Sequence, residues 1–126
     1  MYIIGGPYAV KTNVDTQIKN KGMAVQRIYG QTMINTSQAV AEFALGQGMQ
    51  VNKMGIATTN GYYDGLAASP LLGKNNSVLV LTDSKDLSAI NNVYVNGKKK
   101  NIVSQAYIFG GKFAVEDSVY NYVISK

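Results

Sequence analysis

The side chains that most often carry out catalysis are scarce in this sequence. It contains no histidine and no cysteine. An imidazole base, a Ser-His-Asp relay, a thiolate nucleophile and the nitrogen and sulfur ligands of zinc are therefore all excluded. Chemistry would have to run on carboxylates, namely Asp15, Glu42, Asp64, Asp83, Asp86, Glu116 and Asp117. Asp83 and Asp86 follow the apolar run 78–81, at the carboxyl end of an expected strand, where open α/β sheets place their ligands. A hard-cation site there competes with helix capping by Asp83 or Ser84, and capping is the favoured reading. Two Gly-Gly pairs, Gly5-Gly6 and Gly110-Gly111, each lie between a strand-like and a helix-like segment, a place where backbone N–H groups can hold phosphate. Neither pair belongs to a G-x-G-x-x-G or P-loop pattern, so both are read as tight structural turns. The inventory predicts a protein that is not an enzyme and that needs no metal or cofactor.

The charges point to a binding role instead. Twelve basic and seven acidic residues give a formal net charge of +5. Arg27 is the only arginine; the other basic residues are lysines. Such a balance gives diffuse attraction to polyanions, whereas bidentate recognition of phosphate or guanine needs arginine. Lys98-Lys99-Lys100 is the one basic run, with no aromatic residue inside it to stack on a base. The nine tyrosines are scattered and read as core or interface residues, so no nucleic-acid partner is expected.

At 126 residues, 46% hydrophobic and 15% charged, the composition is that of one folded domain with a core of ordinary size. The apolar runs are too short to cross a bilayer, and no membrane insertion is expected. No secretory leader precedes the first strand-like segment, which taken alone favours a cytoplasmic protein or an excised segment.

An internal repeat organises the chain. Residues 2–18 (YIIGGPYAVKTNVDTQI) and 107–123 (YIFGGKFAVEDSVYNYV) align at an offset of 105, with seven identities in seventeen positions. Each copy has a β-branched and aromatic strand, a Gly-Gly turn, and a helix whose apolar residues recur every fourth position. These are Val10, Val14 and Ile18 in the first copy, and Val115, Val119 and Val123 in the second. Glu116 and Asp117 suit the start of the last helix, and Lys19, Lys21 and Gly22 the end of the first. The repeat divides the chain into 1–24, the tail of one unit, and 27–126, one full unit of a tandem array. Between the copies, strands are expected at 24–28, Lys53–Thr58 and 77–82. Helices are expected at 36–44 (Ala39, Val40, Phe43 and Ala44 inward), at 64–72 and, more weakly, at 87–93. Residues 96–101 (NGKKKN) read as a turn. Alternating β and α segments with continuously apolar strands predict an α/β fold: a mainly parallel, Rossmann-like or toprim-like sheet with helices on both faces.

Several of these stretches, in this order, resemble the cell wall binding repeat 2 (CWB2) modules of Gram-positive surface proteins, over nearly the whole chain. They are the two Tyr-Ile-x-Gly-Gly segments, Arg27-Ile28-Tyr29-Gly30, the helix Thr36-Ser37-Gln38-Ala39-Val40-Ala41, residues 57–71 (ATTNGYYDGLAASPL) and residues 78–83 (VLVLTD). Two positions depart from the family. Thr32-Met33-Ile34 stand where Asp-Arg-Tyr is usual, and Val78 replaces the proline of a strand that the family links to wall-polymer binding. The resemblance implies a toprim-like domain, secreted to the cell surface, that anchors a protein non-covalently through an anionic secondary wall polymer. It also implies siblings, since such modules occur in tandem triplets about a pseudo-threefold axis; a lone copy would form a homotrimer to cover the same surface. On charge and loop position, the expected polymer contacts are Arg27, Lys74 and Lys98, Lys99 and Lys100, with Asn75 and Asn76 reading hydroxyls. The alternative is a structural or protein-interaction repeat that trimerises without binding glycan.

Overall fold

A computed structural model of the chain describes residues 1–49, 53–99 and 105–126. Among the described residues, five strands and six α-helices follow in the order β1 (Tyr2–Ile4), α1 (Asn13–Asn20), β2 (Gln26–Ile28), α2 (Met33–Gly46), β3 (Lys53–Thr58), α3 (Tyr63–Lys74), β4 (Leu79–Thr82), α4 (Ser88–Ile90), α5 (Asn96–Lys99), β5 (Gln105–Ile108) and α6 (Asp117–Ile124). Every strand pairing is parallel, as the βα alternation predicts. The strands form two sheets, a ladder β1-β2 and a three-stranded sheet β4-β3-β5.

The central strand β3 is buried along most of its length, which is why its sequence, KMGIAT, lacks the polar alternation of a half-exposed strand. Its two faces are packed differently. On one face Met54 and Ile56 join Val80 of β4, Ile34 and Ala41 of α2, Ile90, Val93 and Tyr94, and Val115, Val119 and Val123 in a single cluster. On the other, α3 approaches through its small residues Gly65 and Ala68, both buried along with Leu72. A Cβ at Gly55 would lie 2.5 Å from a Leu72 methyl, so the closeness of this layer is set by the missing side chain. Helices thus cover both faces, in agreement with the sequence.

Several element boundaries differ from the sequence reading. Val10 lies in the turn before α1, which starts at Asn13. The inward face of α2 is centred on Ile34 and Ala41, with Ala39, Val40, Phe43 and Ala44 only half-buried, because the helix turns part of that stripe toward an open groove. The segment 96–101 was expected to be a turn, yet Asn96–Lys99 is helical. It continues α4 through a π-helical turn, Asn91–Val95, in which Val93 and Tyr94 are buried. Their burial in the core overrides the weak helix propensity of Asn-Gly. Residues 100 and 101 lie outside the described residues.

Gly30 links β2 to α2 in a space without room for a side chain. A Cβ there would fall 2.4 Å from Asn35 Cβ and 2.6 Å from the Asn35 carbonyl carbon, and backbone cannot swing aside as a side-chain tip can. Gly30→Ala is expected to cost about 2–3 kcal/mol, at the upper end of overpacking. Gly73→Ala, in α3 with nothing within 4 Å of the new methyl, should gain about 0.5 kcal/mol from helix propensity. Urea unfolding of the two variants checks both signs.

Candidate functional site

The Gly5-Gly6 turn is built by its own backbone and by Arg27. Gly5 has φ +120°, a conformation a side chain resists, and its N–H donates to Ile28 O at 3.0 Å. The N–H groups of Ala9 and Val10 both donate to Gly6 O at 3.0 Å, closing the loop that leads into α1. Arg27, in the middle of β2, reaches across it. Nη1 donates to Gly5 O at 2.8 Å and Nη2 to Lys11 O at 3.4 Å. Nε donates to both Asp15 oxygens at 3.0 and 3.2 Å, and Nη2 closes an ion pair with Asp15 Oδ2. The two side chains are only 13% and 18% exposed. The single guanidinium therefore ties the strand end, the turn and the first turn of α1 into one unit, a fork geometry lysine does not offer. Hydrogen bonding to Arg27 holds the Asp15 carboxyl below its ordinary range, and the same bond raises the Arg27 guanidinium further.

Beyond β2 the chain turns into α2 over a sequence made for that turn. The Tyr29 ring lies against Gly6, where a Cβ would come within 3.0 Å of it. The Gly30 N–H donates to Thr36 Oγ1 at 2.9 Å, and Thr32 caps α2 by accepting from the Asn35 N–H at 3.1 Å. From this start α2 presents Met33, Thr36, Ser37, Val40, Ala41 and Ala44, spaced as one helical face, to a groove of about 1070 Å³. Gly5, Gly6, Tyr8 and Tyr29 line one side; Leu79 and Leu81 of β4, with Ser77 and Val78 just before it, line another. Tyr8 is fully exposed.

Strand β4 carries an open edge into this groove. The Gly55 N–H donates to Val78 O, and the Thr59 N–H donates to Thr82 O, so Val78, Val80 and Thr82 turn their peptide groups toward β3. By alternation Leu79 and Leu81 turn theirs outward. The Leu81 N–H is met by Ser37 Oγ at 2.9 Å, while among the described residues the peptide groups of Leu79 lie at the sheet's edge.

The residues singled out by sequence separate into groups. Arg27 stands behind the Gly5-Gly6 wall. Lys74 is exposed in the last turn of α3, followed by Asn75 and Asn76, which lead into the β4 wall at Ser77. The Asn75 side chain caps α3 by donating from Nδ2 to Leu71 O at 2.8 Å, and Asn76 has φ +52°. Lys98 and Lys99 fall in α5, and Lys100 lies outside the described residues. Gly110-Gly111 repeats the first turn, with φ +113° at Gly110 and the N–H groups of Ala114 and Val115 donating to Gly111 O. In both copies these amides close the turn on their own carbonyls.

Asp83 and Asp86 hold the loop between β4 and α4; the expected helix cap by Asp83 or Ser84 is not formed, since α4 follows Leu87 with no side-chain cap. Asp83 Oδ1 accepts from the N–H groups of Lys85 and Asp86 at 2.9 and 2.7 Å. The Asp86 and Lys85 amides hold the Asp83 carboxyl below its ordinary range. Asp86 Oδ1 accepts from the Ser88 N–H, and Ser84 Oγ accepts from the Glu116 N–H. Among the described residues no three acidic side chains gather as metal ligands would, and no helix is long and apolar enough to cross a membrane. Sequence reasoning missed the groove itself, with Tyr8, Tyr29 and the Leu79 edge. The available signal was the face 33, 36, 37, 40, 41, 44 of α2, whose small residues leave space.

The model of the family Cell wall binding domain 2 (CWB2) matches residues 27–120. The chain is 30% identical over 119 residues to the N-acetylmuramoyl-L-alanine amidase LytC of Bacillus subtilis (strain 168), spanning 94% of this chain and 23% of that protein. Among solved structures it resembles Cwp8 from Clostridium difficile, with a TM-score of 0.80 at 17% identity, over 98% of this chain and 19% of that one. It also resembles Cwp6 from Clostridium difficile, with a TM-score of 0.76 at 26% identity, over 95% and 19%. The chain thus spans about a quarter or less of each of these proteins.

The Arg27–Asp15 pair makes a pH prediction. Because the folded carboxyl titrates below its ordinary value of 3.8, the stabilisation is fully present above that value and is lost as pH falls through the lower folded one. Asp15→Asn should lower the melting temperature by a few degrees at neutral pH, and the gap to the native chain should close as pH drops below 3.8. Arg27→Lys should lose most of the same stability. Thermal melts across that range are the check.

Proposed function

The chain belongs to the Cell wall binding domain 2 (CWB2) family, and on that premise we propose that it anchors the protein carrying it to the Gram-positive cell surface. In this reading the module holds an anionic secondary wall polymer in the groove between β4, α2 and the Gly5-Gly6 turn. The observation that carries it is the placement of β4. Residues 78–81 resemble the family's strand linked to wall polymer, and Val78, Leu79 and Leu81 line one wall of a groove, with the peptide groups of Leu79 at its edge among the described residues. A groove of about 1070 Å³ lies at the upper end of ligand-site sizes. Its floor of small and apolar side chains, flanked by Tyr8 and Tyr29, suits the apolar faces of sugar rings. Peptide groups at the β4 edge and the hydroxyls of Tyr8 and Tyr29 would supply the few polar contacts that orient a ligand, the Thr36 and Ser37 hydroxyls being engaged within the fold.

The anionic groups would then be met by lysines outside the groove lining. Lys74 and the turn residues Asn75 and Asn76 lead into the β4 wall, and Lys98, Lys99 and Lys100 are proposed as further contacts. Arg27 contributes by fixing the Gly5-Gly6 side. Each ammonium adds little, and the attraction is screened within about 8–10 Å at physiological salt. Useful affinity comes from repetition of modules, by effective concentration, in tandem or as a homotrimer. No catalysis is proposed for this segment; the amidase activity named for the Bacillus relative is a statement about that longer protein.

Co-sedimentation with Gram-positive walls tests the reading, before and after chemical removal of their anionic polymer. Binding should vanish with the polymer and weaken as salt rises. Tyr8→Ala and Lys74→Ala should each reduce binding several-fold with an unchanged melting temperature, since both side chains are exposed. Equal binding to stripped walls would refute a polymer ligand. No binding to either preparation would favour the alternative, a repeat that associates only with its siblings.

A further inference from the structure

The two copies of the internal repeat use opposite edges of the same strand. In β1 the Gly5 N–H donates to Ile28 O, and Met1 O accepts from the Gln26 N–H. Met1, Ile3 and Gly5 therefore face β2, while Tyr2 and Ile4 face away. In β5 the Phe109 N–H donates to Ile56 O. Tyr107 and Phe109 therefore face β3, and Ala106, Ile108 and Gly110 turn their peptide groups to the other side. At the offset of 105, Ala106, Ile108 and Gly110 are the counterparts of Met1, Ile3 and Gly5. The edge that β1 uses to bind β2 is thus the edge that β5 leaves unpaired among the described residues.

The helices show the same complementarity. Val115, Val119 and Val123 of the second copy are buried in the core, at 4%, 0% and 7% exposure. Their counterparts Val10, Val14 and Ile18 are half-exposed, and α1 has no buried residue at all. The first copy has a partner for its strand but no core under its helix; the second has the core but no second strand.

We propose that consecutive modules share one strand: β5, bound through one edge to β3 of its own module, binds through its other edge the β2 of a second module. The result is a continuous four-stranded parallel sheet, β4-β3-β5-β2, that crosses the module boundary. The arriving strand brings its arginine to Gly110 O and Glu116 O, the counterparts of the Gly5 and Lys11 carbonyls that Arg27 holds here. Tyr120 stands at the position of Asp15, so that carboxylate is not repeated; the acid beside this turn is Asp64, whose Oδ2 would lie 2.7 Å from a Cβ on Gly110. The inference rests on reading the chain as one of several sibling modules, and not on which polymer they hold.

The repeat supplies the test. Lys126 aligns with Lys21, so appending residues 22–31 after Lys126 gives the full chain a second copy of β2 in the natural spacing. Amide exchange at Ala106, Ile108 and Gly110 should slow at least about tenfold relative to the unextended chain, as expected for newly hydrogen-bonded strand, and the melting temperature should rise. Arg27→Ala together with Ile28→Lys, made in the appended copy only, should remove most of both effects. Unchanged exchange in the extended chain would overturn the proposal. So would protection of these amides already present without the extension, since the edge would then be filled from within. No wall enters the experiment, so its failure leaves the wall-binding reading standing.

Discussion

The backbone of β3 meets helix α3 at Gly55, whose missing side chain leaves the space that Leu72 fills, while Gly65 faces Leu79 and Ala57 at ordinary contact distance. The contact at Gly55 fixes the spacing of one face of the sheet, leaving the other for the larger side chains Met54 and Ile56 and the cluster they share with α2, α4 and α6. Because β3 is central and buried, β4 and β5 are held on its two sides, and each must present an edge. The edge of β4 opens into the groove, and the edge of β5 opens away from it. The two surfaces through which the module is proposed to act are thus both by-products of one strand being packed from both faces. Substitutions that push α3 outward would disturb both edges without touching either.

Much of this was legible in the sequence, for identifiable reasons. The apolar run 78–81 announces a parallel strand packed within the fold; the Tyr-Ile-x-Gly-Gly segments are parallel strands too, but not buried ones, since Tyr2 and Ile4 are exposed and Gln105–Ile108 holds no buried residue. The order of the resembling stretches pointed to the CWB2 family, whose model matches residues 27–120. Asp83 was readable as a residue that satisfies local backbone N–H groups, but it closes a turn after β4 and does not cap a helix.

What escaped the sequence is what depends on distant partners. Asn96 to Lys99 carry turn residues, but the neighbouring Val93 and Tyr94 are anchored in the core and the helix runs on. Val10, Val14 and Ile18 look like a buried stripe because their counterparts are one, yet nothing in the local pattern says whether a core lies beneath. Arg27 was conspicuous as the lone arginine, and charge alone suggested an outward-facing contact. Its carbonyl acceptors, Gly5 and Lys11, are defined only once β1 and β2 pair. The groove was invisible for a similar reason: a cavity is a property of what fails to meet, and periodicity reports only what is apolar.

The engagement of Arg27 within the fold has a bearing on selectivity. A guanidinium offers a rigid, planar template that discriminates between anions by the spacing of their oxygens, and this chain's only one is committed to its own turn and to Asp15. All remaining positive charge is carried by ammonium groups on long, rotatable stems, which follow a negative group wherever it lies. A surface of that kind senses charge density more than pattern. Under the proposed polymer-binding role, chains differing in the spacing or identity of their acidic substituents would be held with similar strength, and any finer discrimination would have to come from the sugar faces and not from the anions.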